Sequence, residues 1–204
     1  CIRDRILTMA SKAVGSILPE GRYISLTRKR HEDYSNMVQR LYAGDDISVN
    51  HALCRNITFQ VTSGCNLRCS YCYEHHKGAE HMSIETGRKI VDYLLDLYEQ
   101  GDSDFINRNT RAVVLDFIGG EPLLEASLIE KICDYWFAEC WRRKIPLAPF
   151  TRISFATNGK LWFSPEARHL FDKYHEMMSV TISIDGVQEL HDKYRVCLLY
   201  TSDA

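Results

Sequence analysis

Long apolar runs are missing from this chain: no stretch approaches the roughly 18 to 20 uncharged apolar residues that a bilayer span needs. The N-terminus also lacks a compact apolar core followed by a small-residue cleavage site, so the expectation is a soluble, cytoplasmic protein. A surplus of one charge is missing too, with 25 Lys plus Arg against 27 Asp plus Glu and a formal net charge of −2. That balance gives no electrostatic case for gripping a nucleic-acid backbone or an anionic membrane, and neither is expected as a partner. Proline (5) and glycine (11) are sparse in the 204 residues, which excludes low-complexity and collagen-like chains. The remaining composition, 45% hydrophobic and 25% charged, is that of one or at most two globular domains.

Cysteine is plentiful: Cys1, Cys54, Cys65, Cys69, Cys72, Cys133, Cys140 and Cys197. A chain of this length does not need disulfide staples, so the spacing of these residues carries more information than their number.

The two ends stand apart. Residues 197–204, CLLYTSDA, interrupt a coherent pattern and resemble the translation of a transposon-derived sequencing adaptor; residues 1–5, CIRDR, resemble the same adaptor read from the other side. The expected domain plan is therefore an adaptor-like head (1–5), an accessory segment (6–53), a core (54–196) and an adaptor-like tail (197–204). The gene is expected to continue past Val196. The accessory segment is polar and mixed, with one basic run at Arg28 to His31.

From Asn56 onward, apolar runs of strand length alternate with helical periodicity, the signature of a parallel α/β sheet or barrel. Strands are expected at Asn56 to Thr62, Ala112 to Ile118, Arg152 to Ala156 and Ser179 to Ile184. Between them, Ser83 caps a helix to about Gln100, a second helix covers Ser127 to Arg143, and Ser164-Pro165 starts a third that ends near Glu176. Cys133 and Cys140 fall on one face of the second helix and read as small core hydrophobes.

Cys65-Asn-Leu-Arg-Cys69-Ser-Tyr-Cys72 follows the first strand directly. Soft thiolates grouped on a loop select zinc or an iron–sulfur cluster. Three of them suit a 4Fe-4S cluster with one open iron, whereas a closed zinc site needs a fourth ligand, which His75 offers. On spacing alone both readings stand.

The string CNLRCSYCY after a strand resembles the radical S-adenosylmethionine (SAM) superfamily, and the resemblance continues in order along the chain. Gly119-Gly120-Glu121 follows the second strand, Thr157-Asn158-Gly159 the third, and Ser183-Ile-Asp185-Gly186 closes the fourth. Ligands of parallel α/β folds bind at the carboxyl ends of strands, so these motifs would share one mouth.

The resemblance, which covers roughly Asn56 to Val196, implies the N-terminal part of a partial (β/α)6 barrel, cut after about its fourth strand. It implies that Cys65, Cys69 and Cys72 hold a 4Fe-4S cluster whose open iron chelates SAM, and that one-electron reduction releases a 5′-deoxyadenosyl radical. It further implies cofactor contacts for Tyr71 (adenine, or simple loop packing), Gly119 and Gly120 (close backbone approach) and Glu121 (a carboxylate for the SAM ammonium). Asn158 serves the ribose or shapes the turn, Ser183 and Asp185 line the mouth, with a plain turn residue the other reading of Asp185, and Arg195 pairs with the SAM carboxylate.

The strings FIGGEPLL, ATNG and SIDGVQELHDKYR are most similar to the branch that holds anaerobic sulfatase-maturating enzymes and peptide maturases with a C-terminal SPASM-type domain. YEHHK and LDFIGGEPLLE resemble maturases of ribosomally made peptides. This similarity implies a precursor peptide as substrate, a crosslink such as a thioether as product, and a one-electron donor such as flavodoxin or ferredoxin. Auxiliary clusters and any general base would lie in a C-terminal domain outside this sequence. The segment alone is expected to be inactive and to expose a sheet edge. Sulfatase maturation and a non-catalytic zinc module are the alternatives carried forward.

Overall fold

The computed structural model of the protein describes residues 54–74, 77–185 and 188–197. The head, the accessory segment, His75, His76, Gly186 and residues 198–204 lie outside the described residues.

Strand β1 (Cys54–Thr62) opens the described chain, followed by the short β2 (Leu67–Cys69) and helix α1 (Ile84–Gln100). Strand β3 (Ala112–Gly119) leads through a 3-10 turn (Pro122–Glu125) into α2 (Ala126–Arg143). Strand β4 (Thr151–Thr157), helix α3 (Pro165–Tyr174), strand β5 (Met178–Ile182), helix α4 (Gln188–Tyr194) and strand β6 (Arg195–Cys197) complete it. The main sheet has the order β1-β3-β4-β5, and β5 runs parallel to β4 with Thr157 opposite Ile182. This is the α/β, parallel-sheet fold that the alternating periodicity predicts. No helix among the described residues is long and apolar enough to cross a membrane.

Three details differ from the sequence reading. The fourth main-sheet strand ends at Ile182 rather than Ile184, leaving Ser183 to donate its N–H to Thr157 O at 2.9 Å. Helix α3 gives way at His175 to a tight 3-10 turn instead of continuing to Glu176. The three-residue strands β2 and β6 pair antiparallel with each other and were not anticipated, being too short to show any periodicity.

The chain divides into two compact units that cut across the strands. The first comprises residues to Ile57, Ile84–Val114 and Glu130–Arg152. Val91, Leu94, Leu95 and Tyr98 form the buried stripe of α1, and Gly101 (φ 84°) provides the left-handed stop that only glycine adopts without strain. Cys133 and Cys140 are fully buried in α2, and Trp136 donates its indole N–H to Thr151 Oγ1 at 3.0 Å.

The polar face of this unit is organised by Arg143. It ion-pairs with Asp92 (2.8 Å), Glu99 (3.2 Å) and Asp96 of α1, and with Glu139 one turn back (3.0 Å). Arg143 is only 10% exposed, so its charge is held where water compensates poorly. Burial would raise the Glu139 carboxyl, yet hydrogen bonds from Arg142 and Arg143 outweigh it and hold it below its ordinary 4.5. Burial and a hydrogen bond to Asp92 push the Tyr135 phenol up to about 12.

The second unit comprises Thr58–Ser83, Leu115–Ile129 and the residues from Ile153 onward. Its core includes Phe59 stacked on Phe117 at 5.3 Å and Phe171 between Phe155 (6.3 Å) and Trp162 (4.4 Å). Ser164 caps α3 by accepting the Ala167 N–H at 3.2 Å, with Pro165 in the first turn.

Replacing Arg143 by Met takes the shared cation from Asp92, Asp96 and Glu99 and leaves Glu139 with Arg142 alone, and is expected to cost about 2 kcal/mol of stability, read by chemical denaturation of the protein at neutral pH. The Glu139 contribution is present above its unfolded value and is lost as pH falls through its lower folded value. Acid titration of stability should therefore show a smaller loss below about pH 4 in Glu139→Gln than in the wild type.

Candidate functional site

All the motif residues lie in the second unit. The cysteine loop leaves β1 at Thr62, whose hydroxyl accepts the Gly64 N–H at 3.0 Å. It returns at Glu80 and Met82, with Ser63 N donating to Glu80 O (3.0 Å) and Met82 N to Val61 O (2.9 Å). Within it, Leu67 N–H reaches the Cys65 sulfur at 3.4 Å, and Lys77 donates to Leu67 O at 2.8 Å. The β2–β6 pairing sets Cys69 opposite Arg195, and Ser70 N donates to Tyr194 O at 2.9 Å.

The Gly-Gly-Glu segment grips this loop. Gly120 N donates to Thr62 O at 3.2 Å and Glu121 N to Gly64 O at 2.9 Å. A Cβ on Gly119 would stand 2.4 Å from Thr62 O, and one on Gly120 would stand 2.3 Å from Gly64 O and 2.8 Å from Cys65 Cβ. The two glycines are thus required by the close approach of the chain to its own cysteine loop.

Glu121 is 1% exposed, and its carboxylate is taken up internally. Oε1 accepts from Leu123 N (3.0 Å) and from the Thr157 hydroxyl (2.7 Å), and Oε2 accepts from Asn158 N (2.8 Å). A buried charge needs fixed donors, and here they come from Leu123 in the 3-10 turn and from Thr157 and Asn158 at the end of β4.

Asn158 sits beside Cys65. Its amide nitrogen is 2.7 Å from Asn66 Oδ1 and 3.9 Å from Cys65 Sγ, while its oxygen accepts the Lys160 N–H at 3.0 Å. Tyr71, Asp185 and Arg195 form a second group. The Tyr71 hydroxyl donates to Asp185, Arg195 donates to Asp185 Oδ1 at 3.1 Å, and the guanidinium lies over the Tyr71 ring at 5.7 Å. The Tyr71 bond and then the Arg195 bond hold the Asp185 carboxyl below its ordinary value. Arg195, expected to meet a cofactor carboxylate, is here engaged by the chain's own. Ser183 is held apart from this group, its backbone N–H on Thr157 O at the end of β4.

Cys65, Cys69 and Cys72 are half-buried thiols without disulfides. Burial raises the Cys69 thiol, with Cys65 and Cys72 adding to the rise while Arg195 and Lys77 oppose it. Among the described residues no three His, Cys, Asp or Glu side chains stand as a preformed metal cage. Three soft thiols on one loop, with Arg195 opposite Cys69 across the β2–β6 pairing, nevertheless have the donor chemistry of a thiolate-bound cluster. Asn66, Thr157 and Lys77 were missed by the sequence reading; the first two sit inside the quoted motifs, and Lys77 carries no signal of its own.

The model of the radical SAM superfamily matches residues 59–197, and the chain belongs to that superfamily. Membership brings the superfamily's cofactors, a 4Fe-4S cluster and S-adenosylmethionine. The chain is 25% identical over 187 residues to the radical SAM cyclopropyl synthase TigE of Paramaledivibacter caminithermalis, covering 87% of this chain and 35% of that protein. It is 29% identical over 141 residues to the subtilosin biosynthesis protein AlbA of Bacillus subtilis, covering 68% and 26%. A solved structure, native anSMEcpe with bound AdoMet and Cp18Cys peptide, superposes with a TM-score of 0.52 at 25% identity, covering 71% of this chain and 34% of that one. The chain spans between 24% and 35% of the length of the first curated relatives it matches.

Gly120→Ala drives a methyl into the Gly64 carbonyl and is expected to open the loop, lowering iron and sulfide uptake on anaerobic reconstitution severalfold with helix content preserved by circular dichroism. Glu121→Gln sets an NH2 group against a donor and is expected to lower stability by about 2 kcal/mol in denaturant titration.

Proposed function

We propose that the protein is a radical SAM enzyme acting on a ribosomally made precursor peptide, with a crosslink such as a thioether as its product. The observation that carries this reading is the joining of three motifs at strand ends: Gly120 and Glu121 hold the Cys65 loop, and Glu121 holds Asn158. The similarity to TigE, AlbA and a peptide-bound maturase supports a peptide substrate.

In this reading Cys65, Cys69 and Cys72 hold the cluster, and Arg195 and Lys77 balance its negative charge. Tyr71 lies against the adenine. Gly119 and Gly120 present backbone to SAM, and Glu121 keeps that backbone in place from behind. Asn158, Ser183 and Asp185 would line the mouth, and Arg195, paired with Asp185 in the structure, would meet the SAM carboxylate. When bound, the cluster and SAM would supply radical chemistry for hydrogen abstraction from the peptide, while the protein would orient the reactants and exclude quenching. The electron comes from a flavodoxin or ferredoxin in the cytoplasm.

Anaerobic sulfatase maturation is the second reading, favoured by the likeness to anSMEcpe. A precursor-peptide gene beside the full gene supports the first, and a sulfatase gene the second.

The test is anaerobic iron–sulfur reconstitution of the complete protein, then EPR of the reduced form with and without SAM. The expected result is a cluster signal that shifts on adding SAM and disappears in Cys69→Ala. Uptake of zinc without a cluster, or reductive SAM cleavage by Cys69→Ala, overturns the mechanism.

A further inference from the structure

We propose that Asn158 is a positioning residue for the cluster: its side-chain amide hydrogen-bonds the Cys65 sulfur and raises the reduction potential of the iron–sulfur centre. The inference rests on Cys65 being a cluster ligand, as proposed above.

The amide is oriented by its surroundings. Its oxygen is committed to the Lys160 N–H at 3.0 Å, and its backbone N–H is committed to the buried Glu121 carboxylate at 2.8 Å. The nitrogen must then face the other way, where one N–H meets Asn66 Oδ1 at 2.7 Å and the second is directed at Cys65 Sγ, 3.9 Å away. A primary amide has two such donors, and both are used by the cysteine loop. The same sulfur receives the Leu67 N–H at 3.4 Å, so one side-chain donor and one backbone donor meet on a single ligand. Hydrogen bonds to cluster sulfurs stabilise the reduced, more negative state and lift the potential.

Two other roles for Asn158 make different predictions. A residue that only shapes the turn is replaced without loss by Asp, which retains the oxygen for Lys160 N–H. A residue that only contacts the SAM ribose alters SAM affinity and leaves the SAM-free potential unchanged.

The experiment is an EPR-monitored redox titration of the complete, reconstituted protein without SAM. Asn158→Ala removes the donor without adding charge, and Asn158→Asp keeps the turn while placing a carboxylate by the sulfur. Both are expected to lower the midpoint potential, Asp more than Ala, and to shift the iron–sulfur(Cys) stretch in resonance Raman. If either fails to load a cluster, Asn66→Ala decides, since it removes the acceptor that steers the amide; it too is expected to lower the potential. A wild-type potential in the loaded variants overturns the proposal. Full cluster loading by Cys65→Ala instead indicts the assignment of Cys65 as a ligand, which separates the two failures.

Discussion

The Glu121 carboxylate is the constraint around which the second unit is assembled. A buried carboxylate without donors costs several kcal/mol, so its position is tolerable only where fixed N–H and O–H groups converge on it. Here they come from Leu123 in its own turn and from Thr157 and Asn158 at the end of β4. Its backbone N–H, with that of Gly120, is spent on Gly64 and Thr62 at the end of β1. Three strand ends are therefore coupled through one residue, and the loop that carries Cys65 cannot move without breaking the backbone hydrogen bonds from Gly120 and Glu121.

The cysteine loop is held differently at its far side. There the Asp185, Tyr71 and Arg195 group carries the load, with Tyr71 54% exposed. The Arg195–Asp185 pair beneath it is 12% and 25% exposed, so it is only partly screened, and the backbone bonds of β2 with β6 and of Ser70 with Tyr194 add to it. The Cys65 end of the loop is thus tied to the Gly-Gly-Glu segment, and the Cys69 end to a short antiparallel pairing and a partly buried group of side chains.

Most of the architecture could be read from periodicity, because α1, α2 and the main strands each carry a local pattern of burial. The motif residues could be read as well, since four short strings recur in order at strand ends. What escaped was the partnership between them. Glu121 meets Thr157 and Asn158 across separations of 36 and 37 residues, and nothing local signals such a bond. The glycine pair reads in the sequence as a place of close backbone approach, and the atoms nearest to their missing Cβ groups belong to Thr62, Gly64 and Cys65, which no local signal names. Strands β2 and β6 escaped because three residues cannot display a period.

Net charge was the least informative of the global quantities. The formal −2 hides a segregation in which Asp92, Asp96, Glu99 and Glu139 gather round Arg143 in the first unit, while Arg195 and Lys77 face the thiols in the second. Coulomb interactions fall with distance and are screened within about 8 Å at physiological salt, so a chain near neutrality can present a cationic surround to one group and an anionic one to another. Nucleic acid and membrane, the partners that the charge balance does not favour, need a field extended over a surface. An anionic cluster needs only the few cations within that screening length, and their presence beside the thiols is what composition could not report.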